Sequence, residues 1–373
     1  TLALQTQRKL LSDSTEHIKE LMVMQEMQQP KKTFLLNRGQ YDAPAKQVFP
    51  NTPEKILPFP SQLPKNRYGL AQWLTDTRNP LTARVAVNHL WQNFFGKGLV
   101  KTAEDFGNQG EMPSHLDLLD WLAIELRDNN WDIKKLNKLI VMSATYQQDS
   151  KASPLLNEKD PENKLLARGP SMRLSAEMIR DNALTASGLL NKKLGGKSVY
   201  PYQPEGLWEI NGTKYNQDST DQVYRRSLYI VLKRTVPNPT LANFDGPTRA
   251  SCLVRRQSTN TPLQALVTLN DPTFIEAAKV IGESITKQQN TAAAISKAYQ
   301  QLTGTTPTTK QMALLNALQQ SEYNKFKAYP NKIKGWINTG LYKIDKTLDP
   351  YWVAANSVVA STILNSDATI TKR

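Results

Sequence analysis

Apolar residues recur three and four positions apart along most of this chain, which reads as a mainly helical protein. A loose stripe of Leu10, Leu11, Ile18, Leu21, Met22 and Met24 predicts a helix over residues 3–29, ended by Pro30. Leu70, Trp73 and Leu74 predict a helix over 67–75. Val87, Leu90, Trp91 and Phe94 share one face of a helix over 80–95. Leu118, Leu119, Leu122 and Leu126 predict 114–127, and Leu136, Leu139 and Ile140 predict 133–142. Leu174, Met178, Ile179, Leu184 and Leu189 predict 173–190. Helices resume at 262–269, 272–286, 292–302, 308–320 and 350–364.

The helical period breaks in three places. Residues 33–36 read as a short strand, and the stretch from Pro44 to Pro64 holds six prolines and no glycine. That composition favours an extended, polyproline-like path, expected to cross the surface of the following domain. Residues 195–261 gather Gly, Pro, Tyr and Asn. Within them, 207–210 and 213–215 flank Asn211-Gly212, the pattern of a hairpin with a primed turn, and 227–232 is strand-like. The basic stretch 323–348 reads as a loop. The expected architecture is a multi-helix globular domain with a small hairpin or irregular insert. Its parts are a helical tail of a preceding domain (1–32), a strand and Pro-rich segment (33–65), a helical core (66–194), a basic insert (195–261) and helices packing on the same core (262–373).

Helix starts carry their own signal. Asn79-Pro80, Asp160-Pro161, Thr261-Pro262, Asp271-Pro272 and Asp349-Pro350 each put a side-chain acceptor before a proline. The acceptor can serve an orphan amide of the first turn, where proline's missing N–H costs nothing. Thr261 with Gln264 also fits a capping box.

Composition bounds the function. The 373 residues are 39% hydrophobic, enough for one large core or two ordinary ones. No apolar run approaches the roughly 18 residues a membrane span needs. Cys252 is the single cysteine, so an intrachain disulfide and a zinc site with two thiolates are excluded, as is a C-x-x-C-H haem attachment. The formal net charge is +14, which favours polyanionic partners.

The charge is densest between Tyr224 and Asn260. There Arg225, Arg226, Lys233, Arg234, Arg249, Arg255 and Arg256 face Asp245 alone. Tyr202, Trp208, Tyr224, Tyr229 and Phe244 stand around them. Guanidinium forks beside aromatic faces suit sulfate, phosphate or carboxylate groups on a polymer with stackable rings. Arg225, Arg226, Arg234, Arg255 and Arg256, with Trp208 and Tyr202, are the candidate ligand-binding residues.

Candidate catalytic groups are sparse. The histidines are His17, His89 and His115, and none shows H-x-x-x-H or H-E-x-x-H spacing. A metal site would need His89 and His115 to meet beside Glu104 or Asp105. Asp105, His115 and His89 are the general acid/base candidates; the competing reading of Asp105 is a turn that bonds its own backbone. Asp105-Phe106-Gly107 lacks the other kinase elements, no G-x-S-x-G elbow occurs, and Gly195-Gly196-Lys197-Ser198 lacks P-loop spacing. Arg173, Glu177 and Arg180 are spaced as a surface ion-pair ladder. Binding domain and enzyme both stay open on these residues.

Several runs occur together. They are Thr33-Phe-Leu-Leu-Asn-Arg-Gly-Gln-Tyr41, Asn79-Pro-Leu-Thr-Ala-Arg-Val85, Asp105-Phe-Gly107 with Pro113-Ser-His115, and Leu118-Leu-Asp-Trp-Leu122. Further on come Leu165-Leu-Ala-Arg-Gly-Pro170, Ala176-Glu-Met-Ile-Arg-Asp181 and Thr259-Asn-Thr-Pro-Leu-Gln-Ala-Leu266 leading to Asn270-Asp-Pro272. Over residues 33–364 the chain resembles the planctomycete-type domain of unknown function found at the C-terminus of large secreted proteins, often behind a cytochrome c-like domain. The resemblance implies a secreted, periplasmic or cell-surface location, with the preceding domains of the parent protein as partners. It puts any haem c on a neighbouring domain and leaves this chain without a cofactor. It carries over no catalytic residue. The leading expectation is a scaffold or a binder of anionic, sulfated polysaccharide, with nucleic acid disfavoured by export. The alternatives are a glycan-degrading enzyme using Asp105 and His115, and a docking domain for a haem-bearing neighbour.

Overall fold

The computed structural model describes residues 2–15, 21–209 and 212–372. Two compact units divide the chain, Thr1–Ala83 and Arg84–Arg373. The described residues form fifteen α-helices and two small two-stranded sheets, so the fold is mainly α.

The first unit holds α1 (Leu2–Thr15), β1 (Thr33–Leu36), β2 (Pro44–Val48) and α2 (Arg67–Leu74). The helix expected over 3–29 is shorter than its stripe. It is described over Leu2–Thr15, the described backbone from Leu21 on is not helical, and Ile18 lies outside the described residues. Leu10, Leu11, Leu21, Met22 and Met24 are all exposed. No apolar burial repays ordering, and local propensity alone sustains only a marginal helix. β1 pairs antiparallel with β2, Thr33 opposite Val48. The Pro-rich stretch therefore begins as a strand, with Pro44 at the first position, where a ladder tolerates it. Farther on it packs on α2, where buried Trp73 donates its indole N–H to the Leu57 carbonyl at 2.8 Å. Asn66 caps α2 by accepting from the Gly69 amide.

The remaining helices are α3 (Thr82–Phe95), whose first turn crosses the division, then α4 (Leu116–Asp128), α5 (Ile133–Val141), α6 (Pro154–Lys159), α7 (Ala176–Ser187), α8 (Pro239–Asn243) and α9 (Pro262–Asn270). After them come α10 (Pro272–Thr286), α11 (Thr291–Thr303), α12 (Thr309–Ala328), α13 (Lys334–Asn338), α14 (Pro350–Leu364) and α15 (Asp367–Ile370). β3 (Met172–Arg173) pairs with β4 (Thr371–Lys372). Helix α14 is apolar nearly all round, and Val353, Ala354, Ala355, Val359 and Ala360 are fully buried, as a core helix requires. It lies against α10 so closely that a Cβ at Gly282 would stand 2.5 Å from the Ser357 nitrogen. Ile179 of α7, Ile295 and Leu302 of α11 and Leu315 of α12 complete this core.

Three expected features resolve differently: the loop at 323–348, the strand at 227–232 and the hairpin at 207–215. Helix α12 runs to Ala328, beyond the expected end at 320, because Phe326 is buried against Ala354 and Ala355 while Tyr323 stacks on Trp352 at 3.8 Å. Lys325 and Lys327 disguise this face in the sequence. Residues 227–232 are not a strand; they form a 3-10 turn at Ser227–Tyr229 and a single bridge from Ile230 to Val199. Of the hairpin expected at 207–215, Ile210 and Asn211 lie outside the described residues, and the residues flanking them have no strand pairing. Val199, Tyr202, Val223, Tyr224 and Ile230 are buried, so long-range packing holds the insert.

Helix α10 carries a buried charged row, Glu276, Lys279 and Glu283. Glu276 accepts from the hydroxyls of Tyr202 and Tyr224 at 2.7 and 2.8 Å and from the Tyr342 amide at 2.6 Å. Lys279 donates to the carbonyls of Thr339 and Tyr342, both at 2.6 Å. Glu283 takes the Asp345 amide. The row thereby fastens the segment before α14. Burial, and then the bond to Glu276, pushes both tyrosine hydroxyls above their ordinary pKa. Burial pushes Lys279 down.

Three of the five cap-proline pairs work as expected. Asn79 accepts from the Leu81 and Thr82 amides, Asp271 from Thr273 and Asp349 from Tyr351. Asp160 instead closes a turn after α6, accepting from Lys164 and Leu165, both at 2.8 Å. Thr261 makes no capping bond, and Gln264 donates to the Asn243 and Thr259 carbonyls. The capping box sits at Thr308 and Gln311. Thr308→Ala should therefore cost about 1 kcal/mol, and Thr261→Ala less than about 0.5 kcal/mol. Urea unfolding of both variants measures the difference, and an equal loss would contradict it.

Candidate functional site

Helix α7 anchors the arginine-rich segment. Ser175 caps it, and its first two turns present Glu177, Arg180 and Asp181. Arg180 is 2% exposed, not a rung of a surface ladder. It donates to the Val223 carbonyl at 2.6 Å, the Arg225 carbonyl at 2.9 Å and the Ser227 hydroxyl at 3.3 Å. Asp181 accepts from the Ser227 amide and hydroxyl. These bonds fix residues 223–227, where Val223, Tyr224, Arg225 and Ser227 are buried and Arg226 alone is exposed.

Arg225 points inward and is 2% exposed. Its guanidinium donates to the carbonyls of Lys193, Gly195 and Lys197 and lies 3.9 Å over the Tyr229 ring. Tyr202 is also buried, with its hydroxyl on Glu276. Trp208 is half-buried; Tyr200 and Tyr215 meet it edge-on, and the Lys233 ammonium covers its ring at 4.6 Å. Of the expected ligand-binding residues, Arg226, Arg234, Arg255 and Arg256 are exposed.

A clamp closes the base of the next loop. Arg173 donates to Asp245 at 2.7 Å, the Phe244 carbonyl at 3.0 Å and the Thr259 carbonyl at 2.5 Å. Asp245 accepts in turn from the Thr259 amide and hydroxyl, both at 2.9 Å. Burial opposes the charge, but the Thr259 amide and the Arg173 guanidinium hold the Asp245 carboxyl below its ordinary pKa. Asp245 sits at φ 58°, a left-handed conformation that aspartate tolerates better than most residues. No local signal links Arg173, Asp245 and Thr259, which are far apart in sequence.

From this clamp the loop 246–258 projects, exposed from Thr248 onward. Arg256 pairs with Glu177 at 2.5 Å, and Arg255 with Glu104 at 3.2 Å. Arg249 lines two shallow grooves, one with Glu177 and Leu241, the other with Leu253 and Arg256. Among the described residues, Arg226, Arg234 and Arg249 have no acidic partner.

The Asp105 turn is held locally. Asp105 accepts from the Gly107 amide at 2.7 Å, and Thr102 donates to the Asp105 carbonyl at 2.9 Å. His115 occupies the N-cap position of α4, with Nδ1 3.1 Å from the Ser114 hydroxyl. Asn88 is buried and bonds Val100 in both directions. His89, next to it on α3, is half-buried, with Nε2 buried. His17 lies outside the described residues. Among the described residues, no three His, Cys, Asp or Glu side chains are placed to hold a metal ion. The structure thus joins Arg255 to the Asp105 turn through Glu104 and records no bond among Asp105, His115 and His89. No helix of the described residues is long and apolar enough to cross a membrane.

Residues 66–319 match the family model described as PSD1, protein of unknown function (DUF1553). The span includes α7, the Arg173–Asp245–Thr259 clamp and the arginine loop. No curated protein and no solved structure matches the chain.

Proposed function

The chain belongs to the PSD1 family of proteins of unknown function, and we propose that it binds an anionic polysaccharide through the clamped arginine loop. The observation that carries this reading is the loop 246–258, tied at its base by Arg173, Asp245 and Thr259 and exposed from Thr248 onward, with Arg249, Arg255 and Arg256 along its length. Exposed Arg226 and Arg234 extend the same cationic segment. A loop ordered at its base loses less entropy on binding than a free one. Guanidinium forks match sulfate and carboxylate oxygens in pairs. The salt bridges of Arg255 and Arg256 are more than a third exposed on the arginine side, so they are weak and exchangeable for a ligand anion. The reading places the chain with an exported parent protein, where sulfated and carboxylated glycans are met.

The test is retention on immobilised dextran sulfate across a salt gradient. Arg249→Gln, Arg255→Gln and Arg256→Gln together should elute at clearly lower salt. Each lost contact should lower the salt slope by about one counterion. Unchanged elution would overturn the assignment. Stronger retention on duplex DNA than on dextran sulfate would move the ligand class to nucleic acid.

A further inference from the structure

A cleft of about 510 Å³ opens where the turn after α3, the turn at 111–114 and the segment 150–172 come together. Its volume is within the range of small-molecule sites. None of the arginine-loop residues lines it. Part of its lining is apolar. Trp91 and Phe95 stack in parallel there, 4.0 Å apart and 8° from coplanar, and Met172 and the exposed Met112 line it as well.

The rim is cationic. Lys97, Lys101 and Lys164 crowd one carboxylate, Glu162, at 3.7, 3.3 and 3.7 Å, and Lys101 also lies 3.8 Å from Glu111. Two carboxylates cannot neutralise three ammonium groups and Arg168. Arg168 spends Nη2 on the Pro161 carbonyl at 3.0 Å, while its Nη1 is buried in the cleft lining with no acceptor. The rim therefore keeps net positive charge from Arg168 and the three lysines, which favours anionic oxygens.

The walls are preformed. Gly98 lies against the Asn88 amide, which an added Cβ would approach to 2.5 Å, and Asn88 locks the next turn through Val100. A Cβ at Gly169 would overlap the Gln148 carbonyl, and the Gly169 amide is tied to Asp149. Close packing behind these two glycines therefore fixes the backbone that lines the cleft.

We infer that this cleft is a second binding site, for a small organic anion that pairs a carboxylate, sulfate or phosphate group with an apolar or ring-bearing body. The Arg168 and lysine groups take the anionic oxygens, and the body rests against the Trp91, Phe95 and Met172 side chains. An inorganic ion alone would leave those side chains unused.

The probe is anilinonaphthalene sulfonate, titrated into the whole chain by fluorescence, with the uncharged phenylnaphthylamine as its control. Saturable binding of the sulfonate is expected. Lys97→Gln with Lys164→Gln, both on exposed rim side chains, should weaken it about tenfold, and Arg168→Met by at least as much. The neutral control should bind all forms alike. Benzoate, phenyl sulfate and phenyl phosphate should displace the probe, and their order identifies the preferred head group. Equal sulfonate affinity for the unmodified chain and the double lysine variant would overturn the site, as would failure of all three to displace it. The arginine-loop variants should leave this titration unchanged, so either site can fail without the other.

Discussion

Gly340→Ala is expected to destabilise the protein by about 3 kcal/mol or more. Gly340 has φ +79°, and a Cβ there would overlap the Glu276 carboxyl group. That carboxylate cannot retreat, because it is fully buried and already accepts from Tyr202, Tyr224 and the Tyr342 amide. Glu276→Ala should itself cost about 3 kcal/mol, since two tyrosine hydroxyls and one amide lose their acceptor in the interior. In the Glu276→Ala background the clash is gone, and Gly340→Ala should cost only about 1 kcal/mol for its left-handed backbone. Urea unfolding of the four proteins gives the coupling, expected at about 2 kcal/mol in favour of the double variant. Additive losses would show that Gly340 and Glu276 do not meet.

That contact shows where the sequence was readable and where it was not. Helices α10 and α14 have the ends their cap-proline pairs and apolar runs predict, because those signals are local. The role of Glu276, Lys279 and Glu283 was hidden. Their partners Tyr202, Tyr224 and the segment 339–345 come from distant parts of the chain, so no local pattern marks them. The same limit governs the arginines. Arg225 and Arg226 are neighbours of one residue type, yet one is 2% exposed and spent on three carbonyls while the other faces solvent. Composition located the cationic segment; only the packing on α7 separates its structural arginines from its free ones. The Asp105 turn was legible because Gly107, its partner, lies two residues away. The cleft beside Arg168 was not, since α3 and the segment 150–172 bring its groups together across some sixty positions.

Arg180 offers the sharpest test of that separation. Arg180→Met keeps an unbranched side chain of similar length but removes the guanidinium, leaving the Val223 and Arg225 carbonyls and the Ser227 hydroxyl short of a donor. A loss of about 3 kcal/mol or more is expected, because each buried acceptor left unpaired costs roughly 1 to 3 kcal/mol. Arg180→Lys should recover only part of it, since one nitrogen cannot stand at both positions from which Nη1 reaches Arg225 and Ser227 and Nη2 reaches Val223. Arg226→Met, on an exposed side chain in the same segment, should change stability by less than about 0.5 kcal/mol. The binding readout should run the other way. At a temperature where both variants stay folded, Arg226→Met should lower retention on dextran sulfate, and Arg180→Lys should retain like the unmodified chain. The folding role of Arg180 and the ligand role of Arg226 would then be distinct. If Arg180→Met unfolds no more easily than Arg226→Met, the buried guanidinium is not what fixes residues 223–227, and the separation of Arg225 from Arg226 loses its physical basis.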